Sequence, residues 1–395
     1  MNGIKLLVVD DETDFAAFVA EVAEEMNFEV LSTDNPAEFS TLYSADINII
    51  VLDLFMPATD GIELLRFLYK NKSKASIVFM SGKDKSVLRS AKKLAQEQKM
   101  TVLGILQKPF RAEELEKLLL SYVQHSHIQN YDMNEFPSLE ELRQALENKD
   151  MFLVYQPQIN LVSRKVIGVE ALIRWKHPVG GEVPASYFIP FAEENDLIND
   201  ITSFTTKTAI RQMCIWDNNG FDLQMSINFS PKVLDNLDLP EKLAAYVIEM
   251  GADISKITIE VTETALMSDV TRYMDILARL RMKGFHLAVD DFGTGHSSLQ
   301  QLVRAPFSEL KIDQMFVRNM DRDQECRTIV EISILLAHKL GMHVVAEGIE
   351  NENIWNILRD LGCDEGQGYW MSKPMTATGI DRWMTKWSSQ QARFQ

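Results

Sequence analysis

The sequence predicts an α/β protein of two successive domains, an open parallel sheet flanked by helices followed by a (β/α)8 barrel. Three observations predict it. Short β-branched runs alternate with amphipathic stretches along the chain, the pattern of parallel strands joined by crossover helices. After a polar segment at 121–137 the alternation resumes over about 250 residues, the usual size of one such barrel. Polar and charged residues recur near the ends of strand candidates in both halves, and in parallel α/β folds those ends form the functional face.

In the first half, Ile4–Val9, Ile47–Leu52, Ile77–Met80 and Val102–Leu106 read as strands buried on both faces, with Glu29–Leu31 a weaker fifth. Phe15–Met26 and Ile62–Tyr69 space their apolar residues as helices do. Residues 1–120 thus form one domain, 121–137 a linker ending at Pro137, and 138–388 the barrel. His125 and His127 have no acidic or cysteine partner spaced nearby and read as solvated linker residues.

The barrel half offers strands at Val166–Leu172, Leu223–Asn228, Lys256–Val261, His286–Asp290, Glu309–Asp313, His343–Ala346 and near Gly366–Trp370. Helical patterns such as Val270–Met282 and Thr328–Leu340 separate most of them. The first six end near Glu170, Asn228, Glu260, Asp290, Lys311 and Glu347. Helix capping explains one such residue, but glutamate is not a favoured cap and six strands repeat the feature.

Composition sets limits. The net charge of -17 gives no overall attraction for DNA or anionic lipid, so an anionic substrate must be held locally. Three widely spaced cysteines form neither a disulfide framework nor a zinc pattern and fit a reducing compartment. The opening MNGIKLLVVDDE is not a secretory signal, and no stretch approaches the roughly 20 apolar residues of a membrane span. The expectation is a cytoplasmic protein.

Asp10 and Asp11 end the first strand, Asp53 follows the Ile47–Leu52 run, Ser81 follows Ile77–Met80 and Lys108 follows the last. In an open parallel sheet these ends converge on one crevice. Crowded carboxylates make sense around a hard cation such as Mg2+, Lys108 supplies positive charge to a phosphoryl group, and Asp53 is the nucleophile that accepts it. An Asp-Asp pair alone is often only a helix cap; five such groups at these ends are not. VVDDE at 8–12, LDLFMPATDGIELL at 52–65, MSG at 80–82 and KPF at 108–110 resemble the response-regulator receiver domain. That resemblance implies a flavodoxin-like (βα)5 fold, Asp53 as phosphoacceptor, a sensor histidine kinase as phosphodonor, and Mg2+ and phosphate held by Asp10, Asp11, Asp53, Ser81 and Lys108. Ile105 stands where the family commonly has an aromatic switch residue.

In the barrel, Glu170, Asn228, Glu260, Asp290 and Asp291 form an all-oxygen donor set, which favours Mg2+ or Mn2+ over zinc. Neighbours on a regular strand face opposite sides, so Asp290 and Asp291 share a site only if the strand ends there. Lys311 in a dry barrel mouth needs carboxylates or an anionic substrate beside it. Glu347 is a candidate base for water in a two-metal phosphodiester hydrolysis. Trp175, Trp216 and Trp370 read as core, Gln156 as turn-adjacent and Glu263 as a helix cap unless the fold says otherwise.

YQPQ at 155–158, EALIRW at 170–175, INFSP at 227–231, IEVTETAL at 259–266, DDFGTGHSSL at 290–299, LKID at 310–313, VVAEGIE at 344–350 and GQGYWMSKPM at 366–375 resemble the EAL domain in order. The resemblance implies a TIM-type barrel with one antiparallel strand, two divalent metals and hydrolysis of cyclic-di-GMP to linear pGpG, the reaction of a cyclic-guanylate-specific phosphodiesterase. Carried over, Glu170, Asn228, Glu260 and Asp290 hold one metal, while Asp290 and Asp291 serve the other near Glu347. Glu170, Lys311 and Glu347 are catalytic, Lys311 orienting water and Glu347 acting as base or ligand. Glu263 anchors the DDFGTG loop, and Gln156, Leu172, Arg174 and Gln367 face the substrate. His296 replaces a common aromatic.

The two halves together resemble receiver–EAL response regulators of the RocR type, with a homodimer or higher oligomer implied and no DNA partner. Two other readings compete. A catalytically inactive EAL receptor would signal through protein partners, but degeneration removes ligands, and none is missing. A Mg2+-dependent aldolase or enolase barrel would leave the receiver unexplained.

Overall fold

In this computed structural model the described residues are 4–56, 61–82, 85–98, 100–112, 114–116, 118–120, 122, 138–148, 150–177, 181–263, 270–294 and 299–391. They belong to two compact units, Met1–Phe136 and Pro137–Gln395. Apart from Tyr122, the expected linker 121–137 with His125 and His127 lies outside the described residues, as does His296.

In the first unit, β1 (Lys5–Val9), β2 (Glu29–Thr33), β3 (Ile49–Asp53), β4 (Ser76–Ser81) and β5 (Val102–Gln107) form one sheet. It is wholly parallel, in the order β2-β1-β3-β4-β5. The winding reverses between β1 and β3, which opens a crevice at their carboxyl ends. Leu7, Val9, Ile50 and Leu52 pack into one core, and Leu6, Val8, Ile49 and Val51 into the other. Both faces being apolar explains why these strands read as continuous hydrophobic runs. The first expected helix shifts to Thr13–Glu25, ending before Met26, and the second extends to Gly61–Lys70.

The second unit contains β6 (Met151–Asn160), β7 (Val166–His177), β8 (Gly181–Val183), β9 (Gln224–Asn228) and β10 (Ile257–Thr262). There follow β11 (His286–Phe292), β12 (Glu309–Ile312), β13 (His343–Ala346) and β14 (Glu365–Gly366). β6, β7 and β9–β14 close a barrel because β6 pairs antiparallel with both β7 and β14. The remaining barrel neighbours are parallel, and helices such as Val270–Lys283 and Gln324–Lys339 connect them. This is a TIM-type barrel, with β8 a short hairpin addition to β7.

Several local expectations change. β6 was not among the strands expected from periodicity, because Pro157 breaks a strand pattern. It fits here because its missing N–H falls on the edge away from β7, between the Tyr155–Met375 backbone pair and the β14 pairing that begins at Ile159. β7 continues to His177 to meet β8, so Glu170 lies mid-strand rather than near its end. Asp313 leaves β12 and caps the helix Gln314–Val317, accepting from the Met315 N–H at 2.7 Å. The expected strand near Gly366–Trp370 is only Glu365–Gly366. Beyond it the chain turns hard against Ile349, where a Cβ on Gly368 would stand 2.2 Å from the Ile349 nitrogen. Trp175 and Trp216 are core, whereas Trp370 is half-buried against Trp355 at 5.3 Å. No helix among the described residues is long and apolar enough to cross a membrane.

Candidate functional site

In the first unit the carboxyl ends of β1, β3 and β4 bring Asp10, Asp53 and Ser81 to one crevice, all three buried. Lys108, just past β5, is tied to this edge by its backbone N–H donating to Ser81 O at 2.9 Å. Its Nζ lies 2.7 Å from Asp10 Oδ2, 2.7 Å from Asp53 Oδ2 and 2.9 Å from Glu12 Oε1. Oxygens of Asp10, Asp11 and Asp53 lie within 4.8 Å of one another. Burial raises the Asp10 carboxyl above its usual range, with Lys108 opposing and Asp53 adding like charge. Burial alone would lower Lys108, but Asp10, Asp53 and Glu12 outweigh it and hold the ammonium above its ordinary value. Three clustered acids against one lysine suit a hard divalent cation. Glu12 was missed by sequence reasoning, although it stands inside the VVDDE motif.

In the barrel, Lys311 from β12 is fully buried among four carboxylates. Its Nζ stands 2.7 Å from Glu347, 2.8 Å from Glu260, 3.3 Å from Asp290 and 3.4 Å from Glu170. Asn228 Nδ2 donates to Glu170 Oε1 at 2.7 Å, and Gln367 Nε2 donates to Glu170 Oε2 at 2.7 Å and Glu347 Oε1 at 2.9 Å. Gln367 therefore orients two acids as well as lining the adjacent cavity. Burial would raise Glu170, but Lys311 and the Gln367 and Asn228 hydrogen bonds leave it below its usual range. Burial raises Glu260 and Asp290, with Lys311 opposing. Glu347 is pushed up to about 8 by burial, Lys311 again opposing and Asp290 and Glu170 adding like charge.

Asp290 and Asp291 share the site by a route the sequence did not predict. β11 does not end at Asp290; it continues to Phe292 through a register irregularity between Val289 and Phe292. Asp291 takes a left-handed backbone, φ +55°, which undoes the alternation of side chains. Oxygens of Asp290, Asp291 and Glu347 consequently lie within 4.8 Å of one another. Burial pushes Asp291 up to about 7, with Asp290 and then Asp313 adding like charge. Asp313 is the second residue that sequence reasoning left outside the site, although the LKID motif contains it.

The loop after β11 is held from below. The Gly293 N–H donates to Glu263 Oε2 at 2.8 Å, and a Cβ on Gly293 would meet the Phe316 ring at 2.8 Å. Two cavities flank the acids. One of 200 Å³ is lined by Gln156, Glu170, Glu347 and Gln367. The other, of 600 Å³, is lined by Asn228, Asp290, Asp291 and apolar side chains including Ile189 and Phe229. Leu172 and Arg174 line both, and Gln156 Nε2 donates to Ser372 O at 3.3 Å.

The donor set fits divalent cations. Four or five acids face one lysine, all donors are oxygen, and Glu260 Oε1 is buried without a hydrogen-bond partner.

A family model described as an EAL domain matches residues 139–374, and one described as a response regulator receiver domain matches 6–120. The chain is 30% identical to the cyclic di-GMP phosphodiesterase RocR of Pseudomonas aeruginosa over 387 residues, 95% of this chain and 97% of that protein. It is 38% identical over 245 residues to an uncharacterized signaling protein of Caulobacter vibrioides, covering 62% of this chain but only 30% of that protein. The solved structure of the PaMucR phosphodiesterase in complex with c-di-GMP is 37% identical, with a TM-score of 0.59 over 61% of this chain and 98% of that one.

Proposed function

Because the chain belongs to the EAL-domain family and carries a response regulator receiver domain ahead of that module, we propose that it is a response regulator that hydrolyses cyclic-di-GMP to linear pGpG. The observation that carries this reading is Lys311 buried at the centre of Glu170, Glu260, Asp290 and Glu347, with Asp291 turned in beside them. Acids of the kind that metal ligation and proton transfer need surround that lysine, which supports the reading. Two cavities share Leu172, Arg174 and Asp290 at that cluster, which leaves room on either side of it for a substrate that extends both ways from one scissile phosphodiester.

In this reading Glu170, Asn228, Glu260 and Asp290 would hold one Mg2+ or Mn2+, and Asp290 and Asp291 would serve a second near Glu347. Cations there would neutralise phosphodiester charge and acidify the attacking water. The chain itself supplies positioning. Lys311 Nζ orients the water, and Glu347, 2.7 Å from Lys311, acts as its base or as a metal ligand. Gln367 keeps Glu170 and Glu347 in register, Glu263 fixes the loop that follows Asp291, and Leu172, Arg174 and Gln156 face the nucleotide.

The receiver sets the rate. Asp53 accepts the phosphoryl group from a sensor histidine kinase, with Mg2+ held by Asp10, Asp11 and Asp53, and Lys108 and Ser81 engage the phosphate. A homodimer or higher oligomer is the expected assembly. The decisive test measures pGpG formed by the purified chain with Mg2+ or Mn2+, and again after chelation. Turnover that disappears on chelation supports the reading; tight cyclic-di-GMP binding with no product in either metal would make the chain a receptor instead.

A further inference from the structure

A second polar cluster lies at the opposite, amino-terminal mouth of the barrel, and the hydrolysis described above uses none of it. His286, Glu309, His343 and Glu365 are the first residues of the four successive strands β11–β14. With His338 and Asp364 they line a cavity of 410 Å³, and no lysine or arginine lines it among the described residues. Three carboxylates and three imidazoles thus face one space without a fixed cation.

The arrangement within the cluster is specific. His343 lies between two acids, with Nδ1 3.5 Å from Asp364 Oδ2 and Nε2 2.9 Å from Glu365 Oε1. Asp364 is itself fixed, accepting the Val344 N–H at 2.9 Å and standing 2.9 Å from His338 Nε2. Glu309 is the register neighbour of His343, is only 9% exposed, and its Oε1 is buried with no hydrogen-bond partner. A buried carboxylate oxygen left unpaired beside another carboxylate calls for a cation. The short contact is Nε2 to Glu365 and Nδ1 stands at a longer 3.5 Å from Asp364, so an ion seated between Nε2 and Glu365 would leave Asp364 as the outer partner of the imidazole.

We propose that this mouth binds one divalent transition-metal ion through His343 Nε2, Glu365 and Glu309, with Asp364 orienting the imidazole. Mixed imidazole and carboxylate donors favour zinc and its transition-metal neighbours over Mg2+, which distinguishes this site from the all-oxygen cluster at the other mouth. Among the described residues only Asp10, Asp11 and Asp53, and Asp290, Asp291 and Glu347, have three donors within 4.8 Å of one another. Binding here therefore draws the Glu309 carboxylate inward and releases the proton from His343 Nε2 to solvent. The inference does not depend on the phosphodiesterase reading.

Equilibrium dialysis of Zn2+ against the full chain in excess Mg2+ tests it. His343→Gln and Glu309→Gln should each bind one zinc equivalent fewer than the parent. Asp364→Asn should keep that equivalent but bind it about 10–100-fold more weakly. Glu170→Gln should retain the His343-dependent equivalent, as should His338→Gln. Far-UV circular dichroism establishes which variants are folded, and the near-isosteric Glu309→Gln decides if His343→Gln is not. Unchanged zinc stoichiometry and affinity in folded Glu309→Gln or His343→Gln would overturn the site, as would loss confined to Glu170→Gln.

Discussion

Asp291 follows Asp290 with φ +55°, and its backbone N–H donates to Asp290 Oδ1 at 3.0 Å, so consecutive strand residues present carboxylates to one site. Asparagine tolerates this left-handed geometry, whereas a β-branched residue does not. Asp291→Asn should therefore fold with no loss of stability while lowering turnover at least about a hundredfold. Asp291→Val should in addition lose about 1–3 kcal/mol of stability. Urea unfolding together with pGpG formation checks both; wild-type turnover in Asp291→Asn would remove this residue from the site.

Among the described residues Lys311 is the one ammonium compensating Glu170, Glu260, Asp290 and Glu347 in the buried centre. Lys311→Met leaves those acids unpaired, and breaking such a group costs about 3–5 kcal/mol. The loss should be largest in chelator and shrink when Mg2+ is restored, while turnover stays at least about a hundredfold down. Urea titrations with and without Mg2+, run beside the hydrolysis assay, read the two effects separately.

Glu170→Ala and Glu347→Ala should each abolish turnover, since Glu170 is held by Lys311, Asn228 and Gln367, and Glu347 by Lys311 and Gln367. Gln367→Leu removes only the amide that aligns the two acids. It should lower kcat more than it raises KM, and a change in KM alone would make Gln367 a substrate contact without a positioning role.

Asp53 stands 2.7 Å from Lys108 at the receiver crevice. A small phosphodonor should change the turnover of the parent chain and leave Asp53→Asn unaffected. Lys108→Met should weaken the response as well, because no ammonium would then meet the phosphoryl group. A donor effect that persists in Asp53→Asn would place the phosphate elsewhere.

Glu309 gives a pH dependence with a definite sign. Burial, with Glu365 adding like charge, pushes its carboxyl up to about 7 from an ordinary 4.5. The unfolded chain thus loses this proton first, so the folded state loses stability as pH rises from about 4.5 to 7, and the deficit is complete above 7. In chelator, Glu309→Gln should exceed the parent by at most about 3 kcal/mol at pH 8 and show no such gain at pH 4.5. Urea midpoints across that range provide the test, and a pH-independent difference would contradict the assignment.

The sequence by itself determined both fold classes, because strands buried on both faces repeat as apolar runs and the intervening helices keep their own period. It also placed Asp10, Asp53, Ser81 and Lys108 at one sheet edge, and Glu170, Asn228, Glu260, Asp290, Lys311 and Glu347 on successive barrel strands. Strand β6 was not legible from periodicity, since the tolerance of Pro157 depends on which side its missing N–H faces. The joint use of Asp290 and Asp291 was not legible either, for a left-handed residue in a bulge contradicts the alternation by which strands are read. Nor did the sequence join Glu12 to Lys108, or His286, Glu309, His343 and Glu365 into one mouth. Periodicity reports which face a residue takes, whereas these groupings depend on closure of the sheet and on how far each side chain reaches across it.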